Sequence, residues 1–387
     1  MEREFDRGLS LGYAGRVILF LHSASKNGLS IRDRDMQGSI ERVRAVINGQ
    51  MPDRAPLYDL LRNDAVISHF AGRRLTVENG PEVVFKAYEP AIDATRPLVR
   101  TPNEEHTVTL GDGRQDKYYR WTIWNEPVKY PDSKAYQSAK RSYLESFDAA
   151  WNEQKQQEMA KQLASIADHK QRLGEVFFFP ATTGVELMHI YHEVGLEDFS
   201  YYLVDCPDVI TELLECNTLS AISWIEHLPQ EHQIEAVFLG DDIAFGSGLF
   251  FQPRWFAKHY LPRLARVISA YHARKIKVLF HSDGNLNPIL DGLVEAGIDG
   301  LNPIEVLAGM DVAAVHRTFP NLFLAGGVDV SQLLPFGKPQ EIKDTVRRII
   351  DAAQGRIMIG STSELLDYVP LENFLAMRQA VLDNPYH

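Results

Sequence analysis

Cysteine is almost missing from this 387-residue chain, which has only Cys206 and Cys216. They stand ten apart in a segment with helical periodicity, which fits neither a disulfide framework nor a CxxC metal knuckle. A reducing, cytoplasmic compartment is the expectation. Long apolar runs are missing as well: the run at residues 17–21 is too short for a signal-peptide core and far too short to span a bilayer. Positive charge is in deficit, with a formal net charge of -12. That balance gives no general attraction for phosphate backbones or anionic lipid, so neither nucleic acid nor membrane is expected as a partner. Small molecules or proteins remain.

Several catalytic signatures are absent too. No GxGxxG follows the first strand and no GxxxxGK[ST] occurs, which argues against nicotinamide and nucleotide-triphosphate chemistry. There is no GxSxG elbow, and neither cysteine lies at a strand end, so a Ser or Cys nucleophile has little support. His189, His192 and Glu193 in His-Ile-Tyr-His-Glu have the wrong spacing for a zincin helix in either orientation and read as helix-surface residues or as residues that support the site from behind.

What is present is a chain 45% hydrophobic and 24% charged, enough for one large or two ordinary globular domains with a proper core. Residues 1–35 lack sustained periodicity, and an amphipathic helix pattern begins at Met36. That break makes Met36 a candidate start, with an ordered N-terminal extension as the equal alternative. Alternating segments between Ala91 and Pro127, around Gly111-Asp-Gly-Arg, predict a β-hairpin insertion. Residues 134–170, rich in Ala, Gln, Lys and Glu without Pro or Gly, predict a long solvated helix or helix pair.

From Glu175 onward strand-like runs alternate with amphipathic helices. The strand candidates are 176–179, 236–239, 278–280, 300–301, 322–325 and 357–359; helices at 253–275 and 339–353 are each opened by proline. This rhythm predicts an α/β domain with a parallel sheet, open or closed. In such folds chemistry gathers just after the strands. Here those positions read Gly240-Asp-Asp-Ile, His281-Ser-Asp-Gly-Asn, Asn302-Pro-Ile-Glu, Gly326-Gly-Val-Asp and Gly360-Ser-Thr-Ser-Glu. The candidates are therefore Asp241, Asp242, His281 and Asp283 for catalysis, and Asn302, Glu305, Asp329 and Glu364 for substrate binding. His281 and Asp283 alternate along an extended segment, so both can point one way, as an acid/base pair or as two ligands of a divalent metal. The plainer readings are a histidine satisfied by backbone carbonyls beside a turn aspartate, one of Asp241 and Asp242 acting as a cap, and Asp329 capping the next helix.

The pieces Gly-Asp-Asp-Ile-Ala-Phe-Gly-Ser-Gly, His-Ser-Asp-Gly-Asn, Glu-Ala-Gly-Ile-Asp-Gly-Leu-Asn-Pro-Ile-Glu and Ala-Gly-Gly-Val-Asp resemble, in order and spacing, the uroporphyrinogen decarboxylase superfamily. Weaker similarity continues upstream to about residue 36. The resemblance implies a (β/α)8 TIM-type barrel, here with the β-hairpin insertion and the N-terminal extension, and a site at its C-terminal mouth. It offers two activities: porphyrinogen decarboxylation, or methyl transfer involving a corrinoid protein. Decarboxylases of this family carry an arginine-bearing segment resembling Trp-Met-Arg-Gln-Ala-Gly-Arg, and nothing like it follows Ala55. The predicted mouth is acidic, which repels a polyanion. The thiol-directed methyltransferases hold zinc with a His-x-Cys turn and a later Cys, whereas this chain has His281-Ser-Asp283 and Gly360-Ser-Thr-Ser-Glu. Oxygen ligands in both thiolate positions make zinc doubtful and direct the reading to a small methyl donor or tetrahydrofolate, with the corrinoid carried by a partner protein. Decarboxylation ranks second, and a non-catalytic ligand-binding barrel third. A homo-oligomer stays open.

Overall fold

The computed structural model describes Gln37–Tyr386; the expectations about residues 1–35 and about Met36 as a start lie outside the described residues. Eight parallel strands close on themselves. We number them β1 (57–58), β2 (Ala94–Thr95), β3 (Phe177–Phe178), β4 (Ala236–Gly240), β5 (Lys277–His281), β6 (Gly300–Asn302), β7 (Phe323–Val328) and β8 (Ile357–Ser361). The run from β4 to β8 is one continuous ladder. β2 pairs with β3, and a bridge from Ala181 to Phe238 joins β3 to β4. Closure depends on β1: Tyr58 N donates to Ile359 O at 2.8 Å on one side, and Ala94 N donates to Leu57 O at 2.9 Å on the other. The result is the barrel that the resemblance implied, with every backbone edge paired.

Side-chain alternation fills the interior. Tyr58, Phe177, Phe179, Phe238, Leu279, Phe323 and Met358 point inward, interleaved with Ala94, Ala236 and Ala325. Small residues are compulsory at two of these positions: a Cβ at Gly300 would overlap the Phe323 ring, and one at Gly360 would overlap the Tyr58 carbonyl. The helix Ser39–Ile47 plugs the end of the barrel opposite the mouth with Val43, Val46 and Ile47. A buried ionic cluster anchors this plug. Arg42 meets Asp53 and Asp93, each at 2.6 Å, and Arg54 reaches Asp93 at 2.7 Å. Arg54 and the other groups bonded to Asp93 hold its carboxyl below the usual range despite the opposing effect of burial.

Two expectations change. The segment from Ala91 is not all insertion: Ala94–Thr95 is a barrel strand, and the inserted sheet is a three-stranded antiparallel meander, His106–Thr109, Gln115–Tyr118 and Ile123–Asn125. The helical stretch that follows is a pair, Ser133–Ser146 and Glu153–Leu173. The helix expected at 253–275 is interrupted by a π-helical turn at Phe256–Tyr260 before Leu261–Ala273. Pro262 has no N–H to offer to the carbonyl four residues back, so the ladder is broken there. Among the described residues, no helix is long and apolar enough to cross a membrane.

Candidate functional site

His281 ends β5, and Asn302 faces it in register at the end of β6. Both are buried, at 7% and 0% exposure. Asn302 Nδ2 donates to Ala325 O at 2.9 Å, which turns its Oδ1 toward His281 Nδ1, 2.6 Å away. That carbonyl can only accept, so the network assigns the ring proton to Nδ1 and leaves the lone pair on Nε2. Burial, helped by the charge of Arg96, pushes the His281 pKa down, against the opposing pull of Asp242. The ring is neutral near pH 7.

The Nε2 lone pair faces two carboxylates: Asp242 Oδ1 at 3.7 Å and Asp283 Oδ1 at 3.8 Å. Asp283 is partly exposed, yet its Oδ1 is buried and has no hydrogen-bond partner. Burial first, then the charges of Asp242 and Glu305, push the Asp283 carboxyl up to about 7. Three electron-rich atoms converging without a donor among them repel one another unless a proton or a cation sits between. One ligand atom from each of Asp242, His281 and Asp283 lies within 4.8 Å of the others. The set of one imidazole nitrogen and two carboxylate oxygens fits a divalent cation of borderline to hard character. No thiolate contributes: Cys206 and Cys216 are buried on the helical side of the fold.

The surrounding contacts hold this group in place. Asp242 Oδ1 accepts from Asp283 N at 2.9 Å, and Glu305 Oε2 accepts from Gly284 N at 2.6 Å. Gly284, at φ +92, packs so closely on the backbone of Ala244 and Phe245 that any side chain would collide. The His281–Asp283 turn is thereby fixed from both sides.

The sequence-based candidates separate under this geometry. Asp242, His281, Asp283, Asn302 and Glu305 come together. Asp241 does not join them: fully buried, it accepts from Leu187 N, Met188 N and Tyr260 Oη, fixing the start of the helix Leu187–Val194. Adjacent residues in extended backbone face opposite ways, so only one of Asp241 and Asp242 can reach the mouth. Asp329 caps the helix Leu333–Phe336 through the N–H groups of Ser331, Gln332 and Leu333, which leaves its carboxylate no part in the cluster. His189 and His192 are exposed on their helix, and Glu193 pairs with Lys140.

Glu364 has partners that the sequence reading missed. Its Oε1 meets Arg62 at 2.7 Å and its Oε2 meets Arg96 at 3.4 Å. Both arginines are 5% exposed, and they follow β1 and β2. The expectation of a purely acidic mouth is thus corrected. Arg62 and Arg96 were visible as charges ending short apolar runs, but β1 and β2 are too short for any periodicity to mark them as strands. Asp59, raised to about 6 by burial, ties the end of β1 to β8 through Ser361 N and Oγ.

A model of the uroporphyrinogen decarboxylase (URO-D) family matches residues 158–383. Among solved structures, a methyltransferase from Methanosarcina mazei is 18% identical with a TM-score of 0.63, over 89% of this chain and 98% of that one. A B12-independent methionine synthase from Shewanella sp. W3-18-1 in complex with selenomethionine gives a TM-score of 0.43 at 10% identity, over 85% of this chain and 98% of that one. No curated protein sequence matches. The likeness to the Methanosarcina mazei methyltransferase speaks for the fold alone. The family model covers more than half of the chain, and with the barrel and its polar mouth in place the conclusion is direct: this protein belongs to the uroporphyrinogen decarboxylase family.

Proposed function

We propose that the protein is a methyltransferase that moves a methyl group between a small methyl donor or tetrahydrofolate and a corrinoid carried by a partner protein. The observation that carries this reading is the convergence of Asp242, His281 and Asp283, with the Nε2 lone pair and the orphaned Asp283 Oδ1 facing one point. A divalent cation held by these three residues would supply Lewis acidity toward the heteroatom that carries or receives the methyl group. Zinc with its usual thiolates is not the expected occupant.

The chain's own residues do the rest. Asn302 keeps His281 in the tautomer that presents Nε2. Asp242 and Glu305 hold the backbone of Asp283 and Gly284, so the donors do not have to reorganise when substrate arrives. Without a cation, Asp283, its carboxyl pushed up to about 7, would instead hold a proton near the departing heteroatom, a task that the neutral, acid-resistant His281 does not perform. In the direction from donor to corrinoid, the bonding pair would stay on the heteroatom while the reduced, cob(I) state of the partner's corrinoid would supply the pair for the new bond to methyl, and a nearby positive charge or proton makes the poor leaving group acceptable.

Decarboxylation is the second reading, favoured by Arg62 and Arg96. Against it stand four carboxylates, Asp242, Asp283, Glu305 and Glu364, around a substrate that carries eight of its own. The test mixes purified protein and a divalent metal with cob(I)alamin and a panel of methyl donors, and with methylcobalamin plus tetrahydrofolate, while the cobalt bands are followed. Interconversion that is lost in His281→Ala supports methyl transfer. A flat spectrum, with carbon dioxide released from porphyrinogen, establishes the decarboxylase instead; a flat spectrum without turnover leaves the non-catalytic ligand-binding barrel.

A further inference from the structure

Arg62 and Arg96 share one carboxylate. Glu364 makes a short contact to Arg62 but only a 3.4 Å contact to Arg96, which turns the same Nη2 to Ser363 O at 3.2 Å. The Nε atoms of both arginines are buried and have no acceptor. A buried guanidinium left partly unpaired is unfavourable, because the hydration it has given up is not replaced. The two cations also oppose each other, and burial together with Arg96 and Arg100 lowers the Arg62 pKa. The residue that presents Glu364 is itself unusual: Ser363 sits at φ 112, outside the conformations a side chain normally allows. The protein therefore maintains a strained turn to place one carboxylate between two arginines, and leaves donors over.

The position of this pair relative to the triad is informative. The Arg96 guanidinium lies 5.1 Å from the centroid of the Phe238 ring, and that ring lies 4.9 Å from the imidazole of His281. One aromatic ring separates the arginine pair from the three converging donors. A molecule with an anion at one end and a methylated heteroatom at the other spans that gap only if it is a few atoms long. Phe238 offers its apolar surface in between.

We propose that Arg62 and Arg96 form a clamp for a single carboxylate of a short methylated substrate, and that Glu364 occupies the clamp until that carboxylate replaces it. The methylated heteroatom of such a molecule faces Asp242, His281 and Asp283. The clamp rests on the methyltransferase reading for what happens to the methyl group, but not for what is bound. Bidentate guanidinium–carboxylate pairing gives it direction as well as charge selectivity.

The experiment compares matched probes by isothermal titration calorimetry with the full chain and no corrinoid: methoxyacetate against its neutral amide, methoxyacetamide, and tetrahydrofolate against a tetrahydropterin without the glutamate. Wild-type protein is expected to bind methoxyacetate at least about tenfold more tightly than the amide, since charged hydrogen bonds to a desolvated anion are the strong ones. Arg96→Gln is expected to erase that preference. Glu364→Gln, which removes the competing carboxylate, is expected to tighten methoxyacetate binding, an effect that a purely structural ion pair would not give. Thermal melts of the three proteins show whether each is folded. Equal binding of methoxyacetate and amide, no binding of either, or a preference that survives Arg96→Gln overturns the clamp. A preference seen only for the glutamate of tetrahydrofolate overturns the short substrate and assigns the arginines to the folate tail. Carboxylate preference in a protein that fails the cobalamin test removes methyl transfer and leaves the clamp; methyl transfer that ignores the donor's charge does the reverse.

Discussion

His281 Nδ1 and Asn302 Oδ1 stand 2.6 Å apart across two parallel barrel strands, each at the last residue of its strand and in register with the other. One bond thus decides which imidazole nitrogen is free. Replacing Asn302 with Leu removes the acceptor at nearly constant volume and leaves the tautomer unspecified. Affinity for zinc or manganese is expected to fall by about 10- to 100-fold, the usual effect of losing a partner behind a metal ligand. A competitive chelator titration measures it, and an unchanged affinity would remove Asn302 from the site.

Asp283→Asn separates function from stability. The substitution removes one of the three converging donors and also one of the mutually repelling carboxylates near His281. Cation binding and methyl transfer should be lost, while the melting temperature of the metal-free protein stays the same or rises, as expected where a site is held against its own repulsion. Calorimetric melts with and without metal give both quantities. A sharp fall in metal-free stability would show that Asp283 is structural.

Asp241 and Asp242 are adjacent and should behave oppositely. Asp241→Ala strands two helix-start N–H groups and the Tyr260 hydroxyl inside the protein, a cost of about 2–4 kcal/mol. Asp242→Ala, at a partly exposed position, should change stability by less than about 1 kcal/mol and abolish cation binding. Urea denaturation and metal titration of both variants check the pair, and a reversed pattern would reassign the mouth-facing residue.

Acid should release the barrel floor. The carboxyl of Asp93 is held below its ordinary value of 3.8 by Arg54 and its other partners, although burial acts in the other direction. Its contribution to stability is therefore present above pH 3.8 and is lost as pH falls through the lower, folded-state value. Below about pH 4 the unfolding free energy of wild type should drop more steeply than that of Asp93→Asn, which starts less stable but has no such proton to gain. Chemical denaturation between pH 3 and 6 follows both, and parallel curves would rule out this carboxylate.

The sequence showed much of the later barrel. Strand runs such as 236–239 and 357–359 are dense in apolar residues because both faces of a parallel barrel strand are covered, and the polar residue after each run marks its end. β1 and β2 gave no such pattern. Residues 57–58 and Ala94–Thr95 are held as strands by backbone bonds to partners far along the chain, with Leu57 answering Ile359 and Ala94 answering Phe177. Arg62 and Arg96 follow those two strands, so they went unread along with them.

The site divides in the same way. By itself the sequence showed the family, through the resemblance of its motif pieces, and the β/α order with the polar strand ends, through local pattern: apolar runs, breaks, and what stands at the end of a run. Only the tertiary structure decided that Asp242 faces His281 while Asp241 turns to the Leu187 N-terminus, that Asp329 is consumed as a cap, and that Glu364 lies between two arginines. Those outcomes depend on which way a side chain leaves its strand and on what the closing barrel brings opposite it. Such relations span hundreds of residues, as from Arg62 to Glu364, and no local periodicity encodes them.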